Sequence, residues 1–222
     1  MKDYVFSFIP AKEKSSNLKN KNLLKIYNKT LLELAIISSL KSKLIDITYI
    51  SSESKKIEKI SRLYDCVFIK RPSYLSKKNT KGIKVVEHFL KYLNRKIQKL
   101  NPIIIILQPT SPLRTVKDIS RSIKIFKNKK LNFLISVSKN HKSPYKDMTI
   151  KNKTLIPLFA SKNIFENRQS FPDTYKANGA IFIFRYKEFI KKRNFFNKCY
   201  PYIMNKISSL DVDNLDDFKL AK

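Results

Sequence analysis

Residues 101–115 read N-P-I-I-I-I-L-Q-P-T-S-P-L-R-T. Four consecutive isoleucines and Leu107 form an apolar run of strand length without two-residue alternation, which indicates a central β-strand covered on both faces. The polar residues of the turn that follows are Gln108, Thr110, Ser111 and Arg114. Because ligands bind beyond the carboxyl ends of strands in open α/β sheets, we expect a functional site at this turn. An ordinary strand-to-helix turn capped by Thr115 is the alternative.

The regular part of the chain alternates between short apolar runs and helical patterns. Apolar runs of strand length occur at residues 4–9, 45–50, 66–69, 103–107 and 133–137. Five such alternations predict an α/β fold with a mainly parallel sheet and right-handed crossovers. A length of 222 residues suits one domain spanning residues 1–222.

Residues 139–178 interrupt this alternation. They contain a predicted hairpin at residues 148–159 and a basic, aromatic stretch, but no further strand–helix repeat. A long irregular excursion of this kind usually covers an active site or forms an interface, so we interpret it as an inserted arm. The next strand begins at Gly179, where the missing side chain allows close approach of a backbone or a ligand.

The chain is strongly basic. It has 47 Lys and Arg against 17 Asp and Glu, for a formal net charge of +30. This balance predicts affinity for polyanions, including nucleic acid. The lysines are spread along the whole chain, which favours compositional drift, so we expect no nucleic-acid partner.

Cysteine usage and hydropathy bear on the compartment. Cys66 and Cys199 are too few for a disulfide framework, and no Cys/His zinc cluster is present. No run of eighteen apolar residues occurs, so we expect no membrane segment. Together these features predict a soluble protein of the reducing cytoplasm.

The loop after the first strand carries four lysines, Lys12, Lys14, Lys19 and Lys21. A basic loop after a strand is a typical phosphate-binding arrangement, although a solvated basic loop is the simpler alternative. Near the end, Asp211 and Asp213 alternate along an extended segment, so both carboxylates point the same way, as a shared divalent cation requires. Asp213 or Asn214 could instead cap the last helix.

Several motifs occur in register along nearly the whole chain. They are I-P-A-K from Ile9, K-N-L from Lys21, R-P from Arg71, L-Q-P-T-S-P-L-R-T from Leu107, R-Q-S-F-P from Arg168, N-G-A-I-F-I from Asn178 and D-V-D from Asp211. Taken together, the motifs resemble the acylneuraminate cytidylyltransferase family, which includes enzymes for sialic, pseudaminic and legionaminic acids. The resemblance implies a Rossmann-like nucleotide-diphospho-sugar transferase fold with helices on both sheet faces, and a homodimer whose arm reaches over the other subunit's site.

The same resemblance implies a reaction and a set of site residues. The anomeric hydroxyl of a nonulosonic acid would attack the α-phosphate of CTP, giving a CMP-sugar and pyrophosphate for surface glycan synthesis. The implied nucleotide-binding residues are Lys12, Ser15, Lys21, Asn22 and Arg71. The implied sugar-binding residues are Gln108, Arg168, Lys176 and Asn178, with the aromatic pair Phe195 and Phe196 contributed across the dimer. The implied Mg²⁺ ligands are Asp211 and Asp213, and the implied catalytic residues are Lys12, Lys21 and Asp211.

The first loop departs from the family pattern. Lys12, Ser16 and Asn17 stand where the family usually has arginine, lysine and glycine. Lysine does not reproduce the planar fork of arginine, and the loss at Ser16 removes a charge that would face phosphate. A second interpretation is therefore a catalytically degenerate homologue that retains dimerisation and sugar or nucleotide binding.

Overall fold

The computed structural model describes residues 3–15, 18–140, 142–194 and 198–222. In chain order the elements are β1 (Val5–Pro10), β2 (Lys25–Ile26), β3 (Lys29–Thr30), α1 (Leu31–Leu40), β4 (Ile47–Ser52), α2 (Lys55–Ser61), β5 (Val67–Lys70), α3 (Gly82–Tyr92), α4 (Arg95–Lys99), β6 (Ile103–Ile106), α5 (Val116–Asn128), β7 (Phe133–Lys139), β8 (Met148–Lys151), β9 (Thr154–Pro157), β10 (Tyr175–Arg185), α6 (Tyr186–Lys192), β11 (Tyr200–Ile203) and α7 (Leu215–Ala221).

Seven strands form one sheet in the order β11-β7-β10-β6-β1-β4-β5. Strands β6, β1, β4 and β5 run parallel, so their carboxyl ends share one edge. Strand β10 runs antiparallel to both of its neighbours, with Ile183 opposite Ile105 of β6 and Leu134 of β7. The predicted α/β fold with a mainly parallel sheet is confirmed, and the antiparallel insertion of β10 brings the amino-terminal half of that strand to the shared edge.

Helices cover both faces of the sheet, as predicted. In β6, Ile103 and Ile105 pack with α1, α2 and α5, whereas Ile104 and Ile106 pack with α3 and α6. All four isoleucines are buried because a central strand has neighbours on both faces. On the second face, Phe8 of β1 stacks on Phe89 of α3 with ring centroids 4.3 Å apart.

Local capping fixes where two of the sheet-covering helices begin. Thr30 and Glu33 form a reciprocal capping box at α1, and Thr115 and Asp118 form another at α5. Such boxes satisfy backbone N–H groups that a helix start leaves unpaired. Thr115 therefore caps α5, while the residues before it remain available to the sheet edge.

The excursion leaves the sheet after β7 and returns at β10. Its hairpin of β8 and β9 places Ile150 opposite Leu155, and these side chains are 73% and 60% exposed in the single chain. Tyr145 stacks on Phe171 at 5.2 Å, which ties the two ends of the excursion together. None of the helices in the described ranges is long and apolar enough to span a bilayer.

Candidate active site

Two adjoining pockets open at the edge where the parallel strands end. The first pocket has a volume of about 430 Å³ and lies over β1, β5 and β6. The second pocket has a volume of about 630 Å³ and lies beside the start of β10 and the segment before α7. The turn after β6, where the sequence predicts a site, contributes Gln108 and Thr110 to the lining of the first pocket.

Five predicted nucleotide-binding residues come together in the first pocket. They are Lys12, Ser15, Lys21, Asn22 and Arg71. Asn22 is buried; its Nδ2 donates to the carbonyl of Lys12 at 2.8 Å, and its Oδ1 has no hydrogen-bond partner. A buried acceptor without a partner at a pocket wall is free to receive a ligand N–H. Lys14 and Lys19 do not line this pocket.

Arg71 forms part of the floor of the first pocket and is only 4% exposed. Its Nη2 donates to the carbonyl of Ala11 at 3.2 Å and to Oε2 of Glu53 at 3.0 Å. Its Nε is buried without a hydrogen-bond partner. The guanidinium is thus held at a fixed position at the end of β5, with donor capacity remaining.

The second pocket collects charged groups of both signs. Its lining includes Lys139, Lys176, Lys206, Asp211, Asp213 and Asp217. Of these, Lys139 is paired, since its Nζ donates to Oδ2 of Asp173 at 2.7 Å. Asn178 also lines it, but the amide is already engaged: Oδ1 accepts from Ser136 Oγ at 2.5 Å and Nδ2 donates to Ser209 Oγ at 2.9 Å. Asn178 therefore shapes the pocket by joining β10 to the segment that carries Asp211.

Gly179 lies between a residue of each pocket. It has a φ of +74°, and a Cβ atom there would lie 3.5 Å from Oδ2 of Asp211, in the second pocket, and 3.7 Å from Oε1 of Gln108, in the first. These are ordinary van der Waals distances to side chains, so the positive φ, and not a close approach of another backbone, is what favours glycine here. The backbone N–H of Val212 donates to the carbonyl of Thr110 at 2.8 Å, which fixes the acidic segment against the turn after β6.

Asp211, in the second pocket, has a perturbed pKa. Burial raises the pKa of the Asp211 carboxyl, and the nearby charges of Asp213 and Asp217 raise it further, against the opposing hydrogen bond from Thr110 and the charge of Lys21. Oδ1 of Asp211 is buried and has no hydrogen-bond partner. A buried carboxylate oxygen with unused acceptor capacity is chemically suited to a cation. The described residues contain no group of three or more His, Cys, Asp or Glu side chains placed to hold a metal ion.

The alternative capping role falls on Asn214. Its Oδ1 accepts from the backbone N–H groups of Asp216 and Asp217, and the carboxylate of Asp217 reciprocates, forming a capping box for α7. Asp213 does not cap this helix. Its Oδ1 lies 2.9 Å from Nζ of Lys21, a residue of the first pocket.

Some predicted sugar-binding residues are not brought to either pocket by the single chain. Arg168 is exposed in the short helical turn Arg168–Ser170 of the excursion, and it lines neither pocket. Phe195 and Phe196 lie outside the residues that the structure describes. The roles of these three residues stay predictions.

The polar side chains of the turn after β6 have two different roles, which the sequence did not distinguish: some line the pocket, and one holds the turn in place. Gln108 and Thr110 face the first pocket, whereas Arg114 is buried and its Nη1 donates to the carbonyls of Gln108 and Ala180 at 3.1 and 2.8 Å. Burial lowers the pKa of Arg114 to about 10, so the guanidinium stays charged at neutral pH. Arg114 binds the turn to β10 and does not line either pocket. Lys77 and Thr80 line the first pocket without having been predicted, because no sequence signal marks their loop.

Comparison with known proteins agrees with this geometry. The family model described as Cytidylyltransferase matches residues 7–214. The chain belongs to this cytidylyltransferase family. The match covers every lining residue of the two pockets except Asp217, and it includes the turn after β6 and the D-V-D segment.

Two curated relatives and one solved structure are similar to this chain over nearly its whole length. An N-acylneuraminate cytidylyltransferase of Escherichia coli is 29% identical over all of this chain, which spans about half (52%) of that relative's length. A CMP-N,N'-diacetyllegionaminic acid synthase of Campylobacter jejuni is 27% identical over 96% of this chain and 92% of its own length. A CMP:2-keto-3-deoxy-manno-octonic acid synthetase solved with CTP superimposes with a TM-score of 0.70 at 14% identity, covering 99% of this chain and 97% of that one, which shows a shared fold.

Proposed function

We propose that this protein transfers CMP from CTP to a nonulosonic acid of the sialic, legionaminic or pseudaminic type and releases pyrophosphate, in the service of surface glycan synthesis. The observation that carries the proposal is the pair of adjoining pockets, joined by the contact of Lys21 with Asp213, in a chain matched by the cytidylyltransferase family over residues 7–214. The names of two relatives, N-acylneuraminate cytidylyltransferase and CMP-N,N'-diacetyllegionaminic acid synthase, specify acids of this class.

The first pocket is assigned to CTP. Its lysines, Lys12 and Lys21, supply positive charge for a triphosphate, and Arg71 and Asn22 offer a buried donor and a buried acceptor. Phosphoryl-type transfer depends mainly on positioning and on charge stabilisation as pyrophosphate leaves. Lysines on the first loop therefore meet the main chemical demand even though Lys12 replaces the arginine of the family.

The second pocket is assigned to the sugar acid. Lys176 and Lys206 supply cations for a carboxylate, and Asp213 of this pocket contacts Lys21 of the first pocket. In the reaction, the anomeric oxygen forms a new bond to the α-phosphorus of CTP, and the bond between that phosphorus and the bridging oxygen to the β-phosphate breaks. Because the two pockets adjoin, the nucleotide and the sugar acid would lie side by side when both are bound.

Asp211 and Asp213 are the residues proposed to hold Mg²⁺. The unpartnered Oδ1 of Asp211 and the exposed carboxylate of Asp213 fit an ion that binds through one or two carboxylates and keeps waters and substrate phosphates as further ligands. When bound, Mg²⁺ neutralises charge that builds on the phosphate oxygens. Lys21 contributes positive charge beside these aspartates through its contact with Asp213.

We further propose that the protein is a homodimer built through the excursion. The opposed Ile150 and Leu155 of the hairpin are largely exposed in the single chain, and Phe165 is 93% exposed. Apolar patches of this kind, concentrated on one protruding segment, are typical of a protein interface. The interface would also give Arg168 a route to the pocket of the other subunit.

Two free cysteines support the assignment to a reducing compartment, the cytoplasm.

The activity is tested by pyrophosphate release from purified protein with CTP, Mg²⁺ and a panel of neuraminic, legionaminic and pseudaminic acids. We expect metal-dependent release with at least one acid, loss of release in Asp211→Asn, and normal release in Asp216→Asn, which removes an exposed charge on α7. A folded wild-type protein that binds CTP but releases no pyrophosphate with any acid would favour the degenerate homologue.

The homodimer is tested by light scattering coupled to size exclusion. Ile150→Asp combined with Leu155→Asp places two charges on the exposed face of the hairpin and should give a monomer. Lys151→Asp, a charge change on the opposite face of β8, is the matched control and should remain dimeric. A wild-type protein that is monomeric at micromolar concentration would contradict the proposal.

A further inference from the structure

The carboxylate of Glu53 connects three separate loops around the first pocket. Glu53 follows β4, and its Oε1 accepts from the backbone N–H of Glu13 in the first loop at 2.9 Å. Its Oε2 accepts from Nη2 of Arg71 at 3.0 Å and from Oγ of Ser76 at 2.5 Å. The Glu53 side chain thus fixes the loops that follow β1 and β5 relative to the loop after β4, in which Glu53 lies.

The carboxylate of Glu13 in turn contacts residues that follow Glu53. The Glu13 carboxylate accepts from Oγ of Ser54 and lies 3.3 Å from Nζ of Lys56. The two loops are also joined through the backbone, because the N–H of Ala11 donates to the carbonyl of Ser51 at 3.0 Å. The first loop is therefore anchored at Glu13, directly after Lys12.

The position of Glu53 is unfavourable for a purely electrostatic role. A carboxylate beside a pocket for a triphosphate repels the ligand, and removing its charge would strengthen binding if nothing else changed. Its hydrogen bonds point to a different role. Because Arg71 is buried and Glu53 lies only partly exposed, the pair is held in one geometry, in contrast to a mobile surface pair.

We propose that Glu53 is a positioning residue for the nucleotide, acting through Arg71 and the first loop. This inference rests on the assignment of CTP to the first pocket. Glu53 itself does not line the first pocket. It aligns the Arg71 guanidinium with the pocket floor and holds Lys12 at the mouth, so that both cations are in place before CTP arrives. Residues 11–13 are then already held in the free protein and do not have to become ordered on binding.

The test is calorimetric titration of CTP into wild-type protein, Glu53→Gln and Glu58→Gln. Glu58→Gln makes the same charge change on α2, where Glu58 pairs with Arg62 in the next helical turn. We expect Glu53→Gln to bind CTP about tenfold more weakly, the loss of roughly one well-formed charged hydrogen bond. Glu58→Gln should bind like the wild type. Equal or tighter binding by Glu53→Gln overturns the inference.

Two further measurements separate positioning from a general structural effect. In Glu53→Gln the KM for CTP should rise about tenfold while the KM for the sugar acid stays within about twofold, because the second pocket does not contact Glu53. If Glu53→Gln does not fold, Ser76→Ala removes one bond to the same carboxylate and should weaken CTP binding by about two- to fivefold. Unchanged CTP binding by a folded Ser76→Ala would then overturn the inference. Wild-type protein that binds no CTP would instead refute the proposed function and remove the basis of this inference.

Discussion

Nζ of Lys21 lies 2.9 Å from Oδ1 of Asp213, and this ion pair joins the two pockets. The Lys21 side chain is 13% exposed and that of Asp213 is 64% exposed. A lysine in this position balances the acidic wall of the second pocket and presents positive charge to the first. Both the anionic nucleotide and a cation at the aspartates therefore depend on where this ammonium lies.

Replacing Lys21 by methionine should have opposite effects on the two ligands. CTP binding is expected to weaken by roughly tenfold or more, because a cation at the pocket is lost. Mn²⁺ binding in the absence of nucleotide should become tighter, because a positive charge beside Asp213 is removed. Titration calorimetry measures both. Lys25→Met, the same change at an exposed position of β2, should alter neither.

Asp211→Asn should raise the stability of the metal-free protein while abolishing turnover. The carboxylate is partly buried beside Asp213 and Asp217, an arrangement that disfavours its charged form and raises its pKa. Removing this charge is expected to raise Tm by about 2–4 °C, which corresponds to about 1 kcal/mol for a chain of this length. The measurement is thermal unfolding in chelator. A lower Tm than that of the wild type would show that the charge is well compensated in the absence of metal.

Gly179→Ala should destabilise the protein, whereas Gly82→Ala should not. The φ of +74° at Gly179 costs an L-residue about 1–2 kcal/mol, which predicts a drop in Tm of about 2–8 °C. At Gly82, the first residue of α3, an added Cβ meets nothing within 4 Å and alanine favours the helix. Thermal unfolding of the two variants compares them directly. Equal Tm values would contradict the assigned backbone strain.

Arg114→Met should be among the more damaging substitutions outside the pockets. The buried guanidinium donates to the carbonyls of Gln108 and Ala180, and both acceptors would lose this donor. The expected loss is about 2–4 kcal/mol in the free energy of unfolding, measured by urea denaturation. Arg121→Met, on the outer surface of α5, is the control and should change stability by less than about 0.5 kcal/mol.

The contribution of Glu53 to stability should disappear in acid. Burial alone would raise its pKa, but the hydrogen bonds from Ser76, the Glu13 N–H and Arg71 outweigh that effect and hold the pKa below its usual value. A group with a depressed folded-state pKa stabilises the protein above its unfolded-state pKa, near 4.5, and loses that contribution as pH falls through the folded-state value. The difference in unfolding free energy between wild type and Glu53→Gln, measured with urea, should therefore be present at pH 7 and shrink as pH falls below 4.5. A difference that stays constant from pH 7 to the most acidic pH at which both proteins fold would contradict this cause.

The sequence predicted those parts of the fold that depend on local pattern. The run of isoleucines in β6 predicted a strand covered on both faces because burial on each face requires apolar residues at every position. The direction of β10 was not predicted, since strand direction depends on partners far away in the chain. The set of Lys12, Lys21, Asn22 and Arg71 was implied by the family resemblance, and the fold brings the four residues to one pocket because each lies in a loop that follows a parallel strand.

The remaining site residues could not be predicted because their roles depend on contacts between distant segments. Glu53 is a single acid after a strand, and only the fold shows that its partners are Glu13, Arg71 and Ser76. Asn178 was predicted to face the sugar, yet its amide is largely used by Ser136 and Ser209. Whether a polar group faces a ligand or the protein is decided by three-dimensional neighbours, which a motif does not specify.

The excursion leaves from β7 and returns in β10, its immediate neighbour in the sheet. No strand or helix of the parallel half lies within it, so its length and sequence can change without altering the frame that holds Lys12, Arg71 and Gln108. This arrangement separates two evolutionary pressures on one small chain. The frame can stay constant under selection for the two pockets, while residues 140–174, of which no described member lines either pocket, can change with the surface that they present to other molecules.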